Sequence, residues 1–300
     1  MSLSLTKIKT KLFFVSNQKA LSILDGAYRS LHFGRSLDFE DLREYQPGDS
    51  VKDIDWKHSA QSNKTYVKQH KTDKQIPVYF LLDTGKSMLA LSYDAESTRG
   101  EVGLNTLNLL GHIALKHGDR IGVIFGDNKE TIYHPAKSTQ SHLEHIIENI
   151  ENRYEQKTLG LSDIDSQIDF FLNRNLPSGI IVIISSNYED LLELEPKLHL
   201  LNKRNTLYWV GIDDTDPTKI LNSTKKGDTI LDVESQEFIP DFIKKNKKFN
   251  INESFLKQQI LLNDKAKTFF SKNNIRYISM KSNKDIVTNM IELLKKSRRR

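Results

Sequence analysis

Five short apolar runs along the chain predict the strands of a buried β-sheet. The runs are Val78–Leu82, Ile121–Phe125, Ile180–Ile184, Leu207–Ile212 and, more weakly, Ile275–Ser279. The middle runs are rich in β-branched residues and almost continuously apolar, which is typical of parallel strands that are covered on both faces. The pattern therefore predicts a mostly parallel sheet with helices on either side.

Amphipathic stripes with helical spacing lie between these runs. Thr98 and Glu101 have the spacing of a capping box, so they predict the first turn of a helix. Four further stripes are Leu143, Ile146, Ile147 and Ile150; Ile164, Ile168, Phe171 and Leu172; Leu191, Leu194, Leu198 and Leu201; and Ile286, Met290, Leu293 and Leu294. Because strands and helices alternate, we predict an α/β fold with an open, doubly wound, mostly parallel sheet of the Rossmann type.

The first 75 residues differ in composition from the rest and predict a small separate lobe. Residues 34–75 are dense in charge and contain a Pro47-Gly48-Asp49 turn signal and a strand-like stretch at Thr65–Gln69. A helix over about Leu12–Leu31 is expected to connect this lobe to the sheet. We predict the N-terminal helix and lobe over 1–75, the α/β domain over 76–296 with a hairpin and loop insertion near 228–251, and a basic tail over 297–300.

Composition excludes several classes of site and partner. The 300 residues include no cysteine, which rules out thiolate metal sites and cysteine nucleophiles and agrees with a cytoplasmic location. No apolar run is long enough for a signal peptide or a membrane span, so we expect neither. The net charge of +5 arises largely from late lysines and the basic tail. Aromatic residues do not interleave with these lysines, so we expect no specific nucleic-acid partner; peripheral membrane contact by the tail stays open.

Polar residues follow two of the predicted strands and mark a candidate ligand site. Asp83 and Ser87 follow the first run, Ser186 follows the third, and Ser162 precedes a predicted helix. Ligands of open α/β sheets bind beyond the carboxyl ends of the strands, where the strand order reverses. These four side chains are therefore expected to meet.

Two other interpretations of the Asp83-Thr84-Gly85-Lys86-Ser87 segment are disfavoured. A phosphate-binding loop requires a glycine five residues before Gly85, where the chain has Phe80. An aspartic protease pairs two carboxylates that share a proton, but no second Asp-Thr-Gly or Asp-Ser-Gly follows. That reaction would require a dimer, and the α/β pattern argues against it.

The segment from Leu42 to Trp56 carries the most specific signal. Its sequence is LREYQPGDSVKDIDW, and Ser59-Ala60 follow it. With the DTGKS turn downstream, it resembles the bacterial family catalogued as domain of unknown function fifty-eight. The resemblance implies a von Willebrand A-like domain and a MoxR-type AAA+ ATPase encoded nearby. Physically, Arg43 can pair with Asp53 or Asp55, and Trp56 is expected to anchor the lobe against the sheet.

The resemblance also implies a metal-ion-dependent adhesion site that is incomplete here. Asp83 and Ser87 match its first turn, whereas Gly85 stands where a serine ligand is expected. Ser162 stands at the threonine position, and Ser186 replaces an aspartate. With one matching carboxylate, we expect Mg²⁺ or Mn²⁺ to bind weakly or not at all. The alternative is that Asp83 and Ser87 only hydrogen-bond the turn and cap the following helix.

These observations predict an interaction module and not an enzyme. The resemblance implies an adaptor that works with the MoxR-type ATPase in the assembly or maturation of client proteins. We expect partner contacts at Arg43, Asp49, Asp83 and Ser87. A metal-dependent hydrolase in the same pocket is the alternative, and it would need at least two converging carboxylates. A structural scaffold with an inactive metal site is a third interpretation.

Overall fold

A six-stranded, mostly parallel sheet forms the centre of the protein. In this computed structural model, the described residues are 18–36, 41–51, 54–62, 64–69, 75–156, 158–186, 191–215 and 251–295. The six strands are β3 (Pro77–Asp83), β4 (Arg120–Gly126), β5 (Thr131–Lys137), β6 (Ile180–Ser185), β7 (Thr206–Ile212) and β8 (Arg276–Met280). They are ordered β5-β4-β3-β6-β7-β8. The predicted mixed α/β class and mostly parallel sheet are confirmed.

Helices cover both faces of this sheet and bury two apolar cores. One face carries α1 (Gln18–Ser36), α3 (Arg99–Lys116), α4 (Gln140–Tyr154) and α8 (Ile286–Lys295). The other carries α5 (Ile164–Leu172), α6 (Leu191–Arg204) and α7 (Ile251–Lys272). The capping box expected at Thr98 and Glu101 is present at the start of α3. Among the described residues, no helix combines the length and apolar character needed to cross a membrane.

The strand order reverses between β3 and β6, and this reversal determines where loops meet. β3 pairs in parallel with β4 on one side and with β6 on the other. The chain first proceeds from β3 through β4 to β5, and then returns to build β6, β7 and β8 on the opposite side. The carboxyl ends of β3 and β6 are therefore neighbours at a switch point, which is where open α/β sheets bind ligands.

The sequence pattern did not predict two elements. Strand β5 pairs antiparallel with β4 at one edge, and its side chains are half-buried or exposed. It also contains Pro135. Proline is tolerated in an edge strand because the N–H that it lacks is not needed to pair with a neighbouring strand. Helix α7 begins at Ile251, the end of the segment expected to be a loop. The expected hairpin and the rest of that insertion, residues 228–250, lie outside the described residues.

The N-terminal helix packs into the core of the sheet domain. Helix α1 buries Leu24 and Tyr28 against α8 and α3. The Tyr28 hydroxyl donates a 2.7 Å hydrogen bond to Asp119 Oδ2 at the start of β4. The expected helix over Leu12–Leu31 thus overlaps α1 from residue 18, and its earlier part lies outside the described residues. The domain bounds 1–75 and 76–296 stay a prediction.

A two-stranded antiparallel sheet with one short helix forms the small lobe. Strands β1 (Asp41–Glu44) and β2 (Tyr66–Gln69) pair directly, and α2 (Trp56–Ser59) lies between them in sequence. The Asp55 carboxylate caps α2 by accepting the backbone N–H groups of Lys57 and His58. The expected ion pair of Arg43 with Asp53 or Asp55 involves an Arg43 side chain and an Asp53 that lie outside the described residues.

The expectation that Trp56 anchors the lobe by burial is wrong. Trp56 is 65% exposed, whereas the core residue Leu24 is fully buried. We therefore expect Trp56→Ala to change the free energy of unfolding by less than about 0.5 kcal/mol, as surface substitutions do. Leu24→Ala is the matched control and should cost about 2–5 kcal/mol. Urea unfolding measures both, and a Trp56→Ala loss comparable to the control would contradict the exposed position.

Candidate functional site

The turn after β3 presents a buried carboxylate with one free oxygen. Asp83 is completely buried at the end of β3. Its Oδ1 accepts the Gly85 backbone N–H at 2.8 Å, which fixes the turn. Its Oδ2 is also buried and has no donor in hydrogen-bonding geometry, although the Ser162 hydroxyl is close enough to favour the negative charge of the carboxylate. Because a buried carboxylate oxygen without a partner is costly, this atom makes the turn a candidate position for a ligand.

Three serine hydroxyls from three separate loops meet beside this turn. Ser87 Oγ lies 3.0 Å from Ser186 Oγ at the end of β6. Ser87 Oγ also contacts Ser162 Oγ, which comes from the loop before α5. Ser87 and Ser186 are buried, and the half-buried Ser162 faces the solvent side. The structure thus brings together the four side chains that the sequence placed at the candidate site: Asp83, Ser87, Ser162 and Ser186.

Burial raises the pKa of Asp83 from 3.8 to about 6. The Gly85 N–H and the nearby Ser162 hydroxyl favour the ionised form and limit the rise, whereas the negative charges of Asp163 and Asp127 add to it. The carboxyl group therefore titrates close to neutral pH. It is ionised, and able to bind a cation, above about pH 6.

Two residues after β4 hold the loop that supplies Ser162. Asp127 Oδ2 accepts the Gly160 N–H at 2.6 Å, and Asn128 Oδ1 accepts the Leu161 N–H at 2.9 Å. The Gly160 carbonyl in turn accepts the Lys86 N–H at 2.9 Å, which ties this loop to the β3 turn. Burial opposes ionisation of Asp127, but the N–H groups of Gly160 and Lys129 and the Arg153 guanidinium outweigh it and lower the pKa.

Arg153, at the end of α4, links these parts from behind. Its Nε donates to Thr84 Oγ1 at 2.9 Å, and its two terminal nitrogens lie 2.9 Å from Asp127 Oδ2 and from Glu130 Oε2. Sequence reasoning missed both Arg153 and Asp127, although signals existed. Arg153 continues the apolar stripe three residues after Ile150, and Asp127 follows a buried strand as Asp83 does. A charge on a buried stripe implies a buried partner.

Comparison with known proteins shows the family of this chain. The profile of the family described as protein of unknown function DUF58 matches residues 41–239. The chain belongs to this family. The match spans the small lobe and the positions of Asp83, Ser87, Ser162 and Ser186. Uncharacterized proteins of Mycobacterium bovis and Mycobacterium tuberculosis are 22% identical over 219 residues, which is 73% of this chain and 67% of each relative.

Two solved structures are similar to the chain at low identity. The conserved hypothetical protein BatB from Bacteroides thetaiotaomicron is 14% identical with a TM-score of 0.44, over 74% of this chain and 98% of that one. The pilus adhesin SpaC from Lactobacillus rhamnosus GG is 12% identical with a TM-score of 0.31, over 76% of this chain and 31% of that one.

The structure leaves no room for a side chain at Gly85, the position where the sequence analysis expects a serine. A Cβ at this position would lie 2.4 Å from both the Cα and the backbone N of Ser162. Real side chains do not approach backbone atoms this closely, so the Ser162 loop fills the space that a serine at 85 would need. The Ser162 backbone thus packs directly against Gly85, and the Ser162 hydroxyl contacts Ser87 Oγ.

The oxygens at this site fit a hard cation such as Mg²⁺ or Mn²⁺, but they carry little charge. Adjacent ligands of an octahedral magnesium ion lie about 2.9 Å apart, close to the 3.0 Å between Ser87 Oγ and Ser186 Oγ. In the part of the chain that the structure describes, no group of three or more His, Asp or Glu residues could hold a metal. Asp163, the nearest second acid in sequence, uses its carboxylate to cap α5 through Ser166. Asn187, Glu189 and Asp190 lie outside the described residues.

The expected partner-binding residues differ in their accessibility. Asp83 is completely buried and Ser87 is nearly buried. A partner would therefore reach them only through a small bridging ligand or after the surrounding loops move. The Asp49 carboxylate accepts the Gln46 N–H at 2.9 Å within the turn of the small lobe. Leu161, beside Ser162, is 50% exposed and adds an apolar side chain to the surface around the candidate site.

Proposed function

We propose that this chain is a non-enzymatic adaptor of the von Willebrand A-like type. It binds another protein at the switch point of its sheet, beside a weak, degenerate metal-ion-dependent adhesion site. One observation carries the proposal: three serine hydroxyls and a buried carboxylate with a free Oδ2 converge where the strand order reverses. A site that served only to shape the turn would not leave a buried carboxylate oxygen without a donor.

A divalent cation explains the free oxygen of Asp83. Asp83, Ser87, Ser162 and Ser186 would hold the ion, which would neutralise the buried charge and connect the three loops. One carboxylate is the fewest that protein magnesium sites use, since these bind the ion through one or two carboxylates together with substrate phosphates. The expected dissociation constant is therefore in the millimolar range, and an incoming partner would strengthen it by supplying further oxygen ligands.

The proposed partner is a MoxR-type AAA+ ATPase, which acts with the adaptor in the assembly or maturation of client proteins. Family resemblance alone supports this partner. The carboxyl edge of the sheet supports the location of the contact because polar loops and the exposed Leu161 lie there together. The hydrolase alternative needs a second carboxylate at the pocket. Among the described residues, Asp163 is the acid nearest to Ser162 in sequence, and its carboxylate is engaged at the start of α5.

Two linked measurements test the proposal. At 10 mM Mn²⁺, a site with a dissociation constant of about 1 mM adds about 1.4 kcal/mol to the free energy of unfolding. For a protein of 300 residues, that raises the melting temperature by about 2–3 °C. The adaptor and the ATPase encoded beside it should co-purify in the presence of Mg²⁺ and ATP.

Each measurement has its own negative result. A flat melting temperature in a folded protein would favour the scaffold with an inactive metal site. Absence of co-purification with and without Mg²⁺ and ATP would overturn the adaptor role with this class of ATPase. Substrate turnover that depends on Mn²⁺ would instead support the hydrolase.

A further inference from the structure

We infer that Arg153 is a positioning residue that couples the two halves of the cation site. One half is the β3 turn with Asp83 and Ser87, and the other is the loop that supplies Ser162. The inference rests on the proposed function because it concerns the affinity of that same site. It goes beyond the site itself because Arg153 is not one of the oxygen ligands.

The contacts of one guanidinium connect both halves. Arg153 Nε donates to the hydroxyl of Thr84, the residue directly after Asp83. A terminal nitrogen of Arg153 pairs with Asp127 Oδ2 at 2.9 Å, and this same oxygen accepts the Gly160 N–H at 2.6 Å. Gly160 lies two residues before Ser162. A shift of the guanidinium would therefore move the turn and the loop relative to each other.

Burial makes this link rigid. The side chains of Arg153 and Asp127 are 5% and 2% exposed, so water does not compete for their hydrogen bonds. Planar guanidinium donors have fixed directions, and lysine cannot reproduce a fork that reaches Thr84 and Asp127 together. The third partner, Glu130, is 62% exposed and adds an outer contact that solvent can replace.

Because Mg²⁺ and Ca²⁺ accept different coordination geometries, a rigid link should affect both the affinity and the ion selectivity of the cation site. Mg²⁺ demands near-ideal octahedral geometry at short distances, whereas Ca²⁺ accepts longer and more variable ones. A loosened Ser162 loop should therefore weaken Mg²⁺ binding more than Ca²⁺ binding. Loss of a hydrogen bond to a metal ligand typically lowers metal affinity by about 10–100-fold. Arg153 acts one step further out, through Thr84 and Asp127, so its loss should fall at the lower end of this range.

The test compares Arg153→Lys with two controls. We expect the variant to raise the Mn²⁺ dissociation constant by at least about tenfold and to shift the Mg²⁺/Ca²⁺ affinity ratio toward Ca²⁺. Arg276→Lys makes the same exchange on β8, away from the site, and should change the Mn²⁺ dissociation constant by less than about twofold. Glu130→Gln removes only the charge of the exposed contact and should likewise have little effect.

Amide hydrogen exchange in the absence of cation provides a second, independent measurement. Arg153→Lys should raise the exchange rates of the Gly160 and Leu161 amides by about tenfold while the amides of β3 and β6 keep theirs. If Arg153→Lys does not fold, Thr84→Val removes the contact with Arg153 together with the hydrogen bond from Thr84 to the Gly126 carbonyl. Thr84→Ser keeps the hydroxyl and should behave like the unaltered protein.

The outcomes separate the two proposals. Unchanged Mn²⁺ affinity and unchanged exchange in a folded Arg153→Lys variant would overturn the positioning role and leave the cation site intact. Altered exchange with an unchanged Mg²⁺/Ca²⁺ ratio would reduce Arg153 to a structural residue. No Mn²⁺ response in the unaltered protein would overturn the cation site, and with it this role of Arg153.

Discussion

Asp83→Asn is expected to stabilise the protein by about 3 kcal/mol at pH 7.5 and to abolish its response to divalent cations. Burial raises the Asp83 pKa from 3.8 to about 6, and each unit corresponds to about 1.4 kcal/mol. At neutral pH the folded state therefore holds an ionised carboxylate that would be more stable in the unfolded chain. Asparagine keeps the acceptor for the Gly85 N–H and replaces the free Oδ2 with an amide that can donate to a serine hydroxyl.

The sign of the pH dependence follows from the direction of the shift. Between pH 3.8 and about 6, the folded state keeps the Asp83 proton while the unfolded state has lost it. The contribution of Asp83 to stability is thus intact below pH 3.8, falls as the pH rises through this window, and stays low above about pH 6. The advantage of Asp83→Asn should be small at pH 4 and should reach its full size at pH 7.5. Urea unfolding of both proteins at the two pH values measures it.

Cation affinity should also depend on the protonation of Asp83, but it should rise with pH where stability falls. A proton on Asp83 competes with the ion, so Mn²⁺ affinity should rise with pH through about 6 and then level off. Asp83→Asn should show no increase in melting temperature with Mn²⁺ at any pH. Asp163→Asn is the matched control because it removes a neighbouring charge and keeps an effective cap for α5. Destabilisation by Asp83→Asn, or a retained Mn²⁺ response, would contradict the assignment of Asp83.

The sequence predicts elements that are buried on both faces better than elements at an edge. β3 and β6 are buried along their whole length, so apolar side chains occupy nearly every position and their bounds follow from the run. β5 has one neighbour and mixed exposure, so its residues Thr131–Lys137 show no continuous run. Helix α7 was not predicted because its sequence is largely polar. Buried residues such as Ala266 and Phe270 lie in its C-terminal half.

The candidate site could be located from sequence because its residues directly follow strands or precede a helix. The sequence pattern could not predict the distances between loops that are far apart along the chain. The buried link from Arg153 to Asp127 joins positions 26 residues apart and depends on how α4 packs beside β4. Trp56 presents the reverse case: a large apolar side chain suggested burial, but the short capped helix α2 leaves it exposed.

Gly85→Ser is expected to destabilise the protein by about 3 kcal/mol, although it restores the serine that the adhesion-site pattern has at this position. The added Cβ would lie 2.4 Å from the Ser162 backbone, and overpacking of a rigid interior costs about 1–3 kcal/mol. Relief by loop movement is opposed by the hydrogen bonds of Gly160 and Leu161 to Asp127 and Asn128. Gly85 has φ near −74°, which any residue adopts, so the cost arises from contact and not from backbone strain.

Two further variants separate the effect of the Cβ from that of the hydroxyl. Gly85→Ala should lose nearly as much stability as Gly85→Ser, because both add the same clashing atom. Gly26→Ala on α1 has no atom within 4 Å of the added Cβ and should gain about 0.5–1 kcal/mol. Guanidinium unfolding measures all three, and Mn²⁺ titration accompanies it. If Gly85→Ser keeps its stability and binds Mn²⁺ more tightly, the loop yields to the serine, and the tight contact between Gly85 and Ser162 does not limit the cation site.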